Sequence, residues 1–239
     1  MNKTYFNWST GKDSALTLYS ILQDKRYSIE KMLTVVNGHH DRVSMHGVRR
    51  ALLEQQLASI GIPGMTIELP EQPGMNEYEQ IMKNAVVGLK KEGYDHAAFG
   101  DIFLEDLRKY REDQLAKQEI KAIFPLWKKD TRQLIHEFID LGFKSIVVCV
   151  KAELLDESFA GRIIDHDFLN DLPDHVDPCG ENGEFHTFCF DGPIFKQSVS
   201  FEVGEKIYRE YEAPKDKDDN CFTTTQPDRM GFWFCDLIP

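Results

Sequence analysis

The sequence predicts an α/β protein in which a parallel sheet with helices on both faces is followed by a smaller α+β domain. Two observations carry this prediction. From about residue 5 to residue 150, short apolar segments alternate with longer segments of helical periodicity, and repeated β-α-β units of this kind give parallel strands with right-handed crossovers. After about residue 156 the alternation stops. We therefore expect one domain at residues 1–125 and a second at residues 126–239.

The individual elements follow from local patterns. Strands are predicted at residues 5–8, 31–36, 66–69, 97–99, 120–124 and 144–150, and helices at 14–24, 44–61, 76–93, 104–118 and 131–141. The second helix ends at Gly61-Ile62-Pro63, which supplies a glycine C-cap with proline just beyond. Residues 159–192 have little periodicity and predict irregular loops. Residues 198–208 and 231–237 predict short strands, joined by an exposed connection at 212–219.

Composition argues against several classes of protein. The chain has 239 residues, of which 41% are hydrophobic, enough for a proper core, and its net charge of −12 disfavours bulk nucleic-acid binding. No apolar run approaches the about 20 residues of a membrane span, and the N-terminus lacks the apolar region of a secretory signal. The five cysteines, Cys221 among them, form no CxxC pair, which argues against a disulfide scaffold or a sequence-local zinc site. We expect a cytoplasmic protein without membrane contact.

The segment from Ser9 to Ser14 joins the first predicted strand to the first predicted helix. Backbone N–H groups at a helix N-terminus favour an anion, and the ammonium of Lys12 and nearby hydroxyls suit phosphate oxygens. Neither the Walker pattern nor the dinucleotide glycine pattern is present. The alternative is a capped helix with Ser9 or Thr10 as N-cap and Asp13 in the first turn. From these residues alone, phosphate cradle and cap are equally supported.

Ligands of parallel sheets bind at the carboxyl ends of the strands. Three segments should therefore converge there, namely Ser9–Ser14, 37–40 and Gly100-Asp101. A carboxylate at position 101 suits magnesium or a ribose, but from the sequence alone an N-cap for the next helix is the favoured interpretation. His39 and His40 invite a metal interpretation, but no third ligand has diagnostic spacing, so a loop surface is favoured. His46 is expected to face the same mouth, where a capping or partly buried histidine is favoured over a catalytic one.

A second polar block runs from Asp177 to Thr187. Its glycines allow close approach of the backbone to a ligand, and Glu181 and Glu184 are suited to act as acceptors or as a base. The alternative is a solvated turn at Asn182-Gly183. Cys179 has no identifiable base partner in the sequence, so it is interpreted as a packing residue rather than a nucleophile.

The pattern Ser9-Thr10-Gly11-Lys12-Asp13-Ser14 resembles the Ser-Gly-Gly-x-Asp-Ser signature of the N-type ATP pyrophosphatases, with Thr10 in place of a glycine. The resemblance implies a Rossmann-like fold of the adenine nucleotide alpha hydrolase type. It also implies that the loop holds the departing pyrophosphate of ATP and that Asp13 helps to bind magnesium.

Residues 181–187 together with Asp191-Gly192-Pro193-Ile194-Phe195 resemble a block of the diphthine–ammonia ligase family, and Gly100-Asp101-Ile102 and Pro125-Leu126-Trp127 resemble its middle motifs. The chain departs from the family pattern at Asn182, where the family has glycine, and at His186, where it has glutamate. These departures indicate a divergent branch with its own carboxylate acceptor.

The resemblance implies an ATP-dependent ligase that adenylates a carboxylate, transfers ammonia and releases AMP and pyrophosphate. Its implied partners are ATP, Mg²⁺, ammonia and a carboxylate acceptor, for which a position on a protein is left open, as is a homodimer. Two alternatives remain: a tRNA-thiolase-like enzyme, and a nucleotide-binding protein without turnover. The ATP-binding residues implied are Ser9, Thr10, Gly11, Lys12, Asp13, Ser14, Gly100 and Asp101. The catalytic residues implied are Lys12, Asp13, Glu181 and Glu184, and those on the substrate or ammonia side are Glu181, Glu184, His186 and Thr187.

Overall fold

The computed structural model describes residues 1–71, 73–212 and 229–239. The first sheet contains five parallel strands in the order β4-β2-β1-β5-β6, and the short β3 pairs antiparallel with the end of β2. These strands are β1 (Asn2–Asn7), β2 (Tyr27–Asn37), β3 (Arg42–Val43), β4 (Gly64–Leu69), β5 (His96–Ala98) and β6 (Lys121–Ile123). The parallel strands end at a common edge, and this edge carries the candidate site.

Helices cover both faces of this sheet, as the sequence predicted. Neighbouring side chains of a strand point to opposite faces, and in β1 the buried Tyr5 and Phe6 belong to two separate apolar clusters. The Phe6 cluster contains residues of α1 (Lys12–Leu22) and α2 (Arg50–Ile60), whereas the Tyr5 cluster contains residues of α3 (Met75–Lys91) and α4 (Glu105–Ala116). The α/β class is therefore confirmed.

The second sheet is antiparallel, with strand order β8-β7-β10-β9. Its strands are β7 (Lys144–Lys151), β8 (Phe185–Asp191), β9 (Glu202–Glu212) and β10 (Arg229–Ile238), and its helices are α5 (Thr131–Asp140) and α6 (His166–Asp171). The apolar cluster that contains Phe6 continues into this sheet through residues such as Phe188 and Leu237. The two sheets thus share buried apolar contacts, and the domain boundary at 125/126 stays a prediction.

Three local predictions are wrong. The predicted helix at 44–61 begins only at Arg50, because the preceding turn requires left-handed backbone at Met45 (φ 65°) and Gly47 (φ 69°). Neither Ser9 nor Thr10 caps α1; the N-cap is Gly11, and no side chain bonds to the cap. The segment predicted as irregular loops contains α6 and β8.

Two other expectations lie largely or wholly outside the described residues, namely the connection at 212–219 beyond Glu212 and the cysteine at 221. Across the part of the chain that the structure does describe, no helix combines the length and the apolar character that crossing a membrane requires.

Candidate functional site

The loop between β1 and α1 is held by hydrogen bonds in an unusual conformation. Thr10 has left-handed backbone (φ 73°), a region that costs a β-branched residue energy. Its carbonyl accepts hydrogen bonds from the side-chain amide of Gln56 (3.0 Å) and from the backbone N–H of Cys189 (2.9 Å). The hydroxyl of Ser14 donates to the carbonyl of Gly11 (2.8 Å), and Ser9 donates to Ser14 (3.1 Å). The loop is therefore fixed from α2 and from β8.

The side chain of Lys12 is buried, with 3% of its surface exposed. Its ammonium lies 2.8 Å from the carboxylate of Asp13 and donates to the backbone carbonyl of Cys179. Burial opposes the charged form of Lys12, but the negative charges around it, those of Asp13 and Glu181 included, hold its pKa above the ordinary value. The ammonium therefore stays charged at neutral pH and crosslinks the loop to the polar block at 177–187.

A second contact joins the same two segments. The backbone N–H of Lys12 donates to the hydroxyl of Thr187 (3.0 Å), and the imidazole of His46 donates through Nδ1 to the carbonyl of Thr187 (2.9 Å). A Cβ atom on Gly11 would lie 2.8 Å from Cε1 of His46. Position 11 therefore requires glycine because His46 and Thr187 approach the loop so closely. The prediction that His46 faces this mouth is confirmed.

Gly100 and Asp101 follow β5 and meet the loop from the other side. A Cβ atom on Gly100 would lie 3.2 Å from the backbone nitrogen of Ser14, so the strand end packs directly on the start of α1. Oδ1 of Asp101 accepts from Arg111 (3.2 Å), while its Oδ2 is buried and has no hydrogen-bond partner in the part of the chain that the structure describes. Burial raises the pKa of Asp101, Arg111 opposes this, and the nearby charge of Asp13 adds to the rise. Asp101 does not cap α4, whose N-cap is Leu104.

Glu181 reaches across to the strand-end segment after β5. Its Oε1 accepts from the backbone N–H groups of Ile102 (2.7 Å) and Phe103 (3.4 Å). Burial raises the pKa of Glu181 to about 7, against the lowering effect of these hydrogen bonds. A carboxyl group that titrates near neutral pH is suited to accept a proton during catalysis.

Glu184 is more deeply enclosed, with 2% of its surface exposed. One carboxylate oxygen accepts from the backbone N–H of Asp177 (3.1 Å) and from the side-chain amide of Asn182 (3.0 Å). The other oxygen, Oε2, is buried without a partner among the described residues. An unpaired buried carboxylate oxygen is costly, so Glu184 is suited to receive a donor or cation from a ligand.

His186 lies beside His46, with ring centroids 4.8 Å apart. Burial lowers the pKa of His46 to about 4 and that of His186 to about 3, and in His186 the neighbouring imidazole adds to the effect. Both rings are therefore neutral at physiological pH, so the departure at position 186 replaces a charged residue of the family pattern with an uncharged one.

Not every predicted residue joins this site. His39 and His40 are exposed and lie against Glu71, and among the described residues none of their hydrogen bonds reaches the loop at 9–14. Cys179 is buried and burial raises its thiol pKa, which agrees with packing rather than a nucleophilic role.

Sequence reasoning gave no role to three residues that organise the site. Asp177 accepts from the backbone N–H groups of Cys179 (2.9 Å) and Glu181 (3.3 Å) and so folds the polar block. Arg111 pairs with Asp101, and Gln56 holds the Thr10 carbonyl. These roles can be assigned only from the contacts in the structure, because no motif or spacing in the sequence connects the three residues to the site.

The donor set fits a hard divalent cation. The charge of Asp13, whose carboxylate pairs with Lys12, acts on Asp101, and Oδ2 of Asp101 has no hydrogen-bond partner among the described residues. Magnesium in nucleotide sites is usually held by one or two carboxylates together with substrate phosphates, which matches this pair. The fold and the site thus define an α/β protein in which the loop between β1 and α1 lies against a carboxylate-rich segment at the carboxyl edge of the parallel sheet.

Comparisons with known proteins assign the family. The family model of the diphthamide synthase N-terminal domain matches residues 2–121, and that of the C-terminal domain matches residues 130–216. The chain therefore belongs to the diphthamide synthase family. This confirms the family resemblance that the motifs indicated.

Individual relatives are distant. The mouse diphthine–ammonia ligase is 26% identical over 182 residues, covering 74% of this chain and 67% of the mouse protein. The human diphthine–ammonia ligase is 26% identical over 144 residues, which is 58% of this chain. The match spans about half the length of the human protein (54%). Among solved structures, one match is described as a predicted subunit of tRNA methyltransferase from Methanocaldococcus jannaschii. The match has a TM-score of 0.38 and 16% identity, and it covers 74% of this chain and 95% of that one.

Proposed function

We propose that this protein is an ATP-dependent ligase that adenylates a carboxylate and transfers ammonia to it, releasing AMP and pyrophosphate. The observation that carries the proposal is the double contact of the polar block with the loop before α1, through the ammonium and the backbone N–H of Lys12. A phosphate-binding loop and a carboxylate-rich segment in direct contact are what a two-substrate ligase requires. Family membership supports the same class of reaction.

The loop is proposed to hold the β- and γ-phosphates of ATP. The N-terminus of α1 offers N–H groups and a favourable dipole to an anion, and the buried ammonium of Lys12 adds a full positive charge. Gly100 and Asp101 would contact the nucleotide from the adjoining strand end. Asp13 and Asp101 would hold Mg²⁺, which neutralises charge on the phosphates when bound.

In the proposed reaction, an oxygen of the acceptor carboxylate attacks the α-phosphorus of ATP, and the bond to pyrophosphate breaks. The lone pair of ammonia then attacks the acyl carbon, the bond to AMP breaks, and the nitrogen loses a proton. Glu181 is the proposed proton acceptor, because its pKa of about 7 lets it exist as a base at working pH. Glu184, Thr187 and His186 are proposed to line the acceptor or ammonia side.

The acceptor is proposed to be diphthine or a related carboxylate, as the names of the relatives indicate. Asn182 and the neutral His186 are the positions where this chain would differ in acceptor recognition. The two alternatives are less well supported. A thiolase-like role lacks CxxC pairs and a basic surface in this sequence, and a non-catalytic role leaves the near-neutral Glu181 unexplained. A cytoplasmic location and weak bulk nucleic-acid binding stay expectations.

The test is product analysis. Purified protein is incubated with magnesium-ATP, ammonium and a diphthine-bearing elongation factor, and nucleotides are separated by chromatography. We expect AMP and pyrophosphate in equal amounts, formed only when the acceptor is present. Formation of ADP would refute cleavage between the α- and β-phosphates. Turnover without ammonium that leaves the acceptor unmodified would refute amide formation.

Two substitutions test the loop assignment. Lys12→Ala and Asp13→Ala should each abolish turnover while leaving the circular dichroism spectrum unchanged. The matched control is Lys128→Ala, because that lysine is an exposed surface residue whose ammonium lies 2.9 Å from the carboxylate of Glu105. Equal activity of the Lys12 and control variants would contradict the role of the loop.

A further inference from the structure

We propose that His39, His40 and Glu71 form a binding site for a transition-metal ion of the zinc class, separate from the magnesium ligands at Asp13 and Asp101. The two imidazoles follow β2, and the carboxylate follows β4. The sequence alone offered two adjacent histidines and no third ligand. The structure supplies that ligand from a neighbouring strand end.

The geometry favours one shared ion. One potential ligand atom from each of the three side chains lies within 4.8 Å of the other two. Nε2 of His40 is 3.4 Å from one oxygen of Glu71, and Nε2 of His39 is 4.0 Å from the other. Ligands of a tetrahedral zinc ion at ~2.0 Å lie about 3.3 Å apart. The observed separations are close to this spacing, and side chains that are about half exposed can reach it by changing rotamer.

The backbone holds the two ligand segments together. The side-chain oxygen of Asn37 accepts from the backbone N–H groups of both His39 and His40 (3.0 Å each), which fixes the turn that carries them. The side-chain amide of Asn37 donates to the backbone carbonyl of Glu71 (3.2 Å), and Gly38 donates to the carbonyl of Leu69 (2.9 Å). The ligands are therefore brought together before any ion binds, so little ordering remains to be done on binding.

The donor set selects the metal. Imidazole nitrogen is a good ligand for zinc and its neighbours in the first transition series, whereas magnesium prefers carboxylates, carbonyls and water. Two histidines and one carboxylate leave a fourth position for water or another ligand. An ion bound here would join the turn after β2 to the segment after β4, on the edge of the sheet that also carries the loop at 9–14.

The experiment is isothermal titration of tag-free full-length protein with zinc chloride, in the presence of excess magnesium. We expect saturable binding of one equivalent of zinc. His39→Ala, His40→Ala and Glu71→Gln should each weaken it at least about tenfold, the scale on which even secondary metal contacts act. All three residues are exposed, so the variants should keep the wild-type melting temperature without metal.

The matched control is His166→Ala, which removes an exposed imidazole outside the cluster. It should bind zinc as the wild type does. The proposal is overturned if the wild type shows no saturable binding, or if the three cluster variants bind like the control. Because the readout is metal binding, the result does not depend on whether the protein is a ligase.

Discussion

Replacing Glu181 by glutamine should make the protein more stable at neutral and higher pH. Burial raises the pKa of Glu181 to about 7 from its ordinary 4.5, which means that the folded protein holds this proton more tightly than the unfolded chain does. As pH rises from about 4.5 to about 7, the unfolded chain loses the proton first. The contribution of Glu181 to the free energy of unfolding therefore falls across that window. Glutamine keeps an oxygen for the backbone N–H of Ile102 and removes the titration.

The expected magnitude follows from the pKa. At ~1.4 kcal/mol per pKa unit, a shift of this size sets an upper limit of about 3 kcal/mol. The carboxyl group is only partly enclosed, and solvent screening reduces the value, so we expect a gain of ~1–2 kcal/mol at pH 8. Near pH 5, where the folded protein carries a neutral Glu181, the difference between variant and wild type should be much smaller.

The assay is urea unfolding of wild type and Glu181→Gln between pH 5 and pH 8, followed by tryptophan fluorescence. Other titrating groups contribute to both proteins alike, so the difference between the two curves isolates Glu181. The matched control is Glu105→Gln, an exposed residue paired on the surface with Lys128. A difference that is independent of pH, or a wild type that gains on the variant as pH rises, would refute the reasoning.

Three further outcomes are expected. The free energy of unfolding of the wild type should fall between pH 7 and pH 5, and His186→Gln should reduce this fall by ~1–2 kcal/mol, measured by denaturant unfolding. Burial lowers the pKa of His186, so its imidazole stays neutral in the folded protein. The unfolded chain binds a proton at this histidine below about pH 6.5 and is thereby stabilised. Gly100→Ala should raise the dissociation constant of ATP in calorimetry, since the added Cβ would lie 3.2 Å from the backbone nitrogen of Ser14. The control is Gly88→Ala within α3, where a Cβ meets open space. This variant should bind ATP as the wild type does, and its free energy of unfolding should rise by up to ~1 kcal/mol. Thr187→Val should lower the free energy of unfolding by ~1 kcal/mol, because the backbone N–H of Lys12 loses its acceptor. The same variant should bind ATP more tightly, because that N–H is then free for a phosphate oxygen. Weaker ATP binding would instead show that the hydroxyl of Thr187 contacts the nucleotide.

Much of the architecture could be predicted because it follows from local patterns. Alternating apolar segments indicate β-α-β units, and parallel strands bring their carboxyl ends to one edge, so Gly100 could be expected beside the loop at 9–14. The predicted helix at 44–61 starts six residues before α2, since the turn with left-handed backbone at Met45 and Gly47 leaves no periodic signal in the sequence.

The contacts that complete the site are long-range, and no spacing rule reaches them. Lys12 and Thr187 are 175 residues apart, yet they share a hydrogen bond. Asp101 and Glu184 each have a buried oxygen without a partner among the described residues, and only the folded structure identifies these atoms. Glu71 joins His39 and His40 because β2 pairs with β4 in the sheet. No local sequence pattern indicates which strands pair.

The backbone N–H of Lys12 links the loop before α1 to the second sheet. The N–H groups at the start of α1 are those that a phosphate would use, and one of them donates to Thr187 on the strand that follows Glu184. A phosphate that takes this N–H must compete with the Thr187 hydroxyl. Since the carbonyl of Thr187 is also held by His46, such competition would alter the packing beside His186. Under the proposed function, nucleotide binding at the loop would therefore change the structure of the proposed acceptor side, because Thr187 of the second sheet contacts the loop of the first.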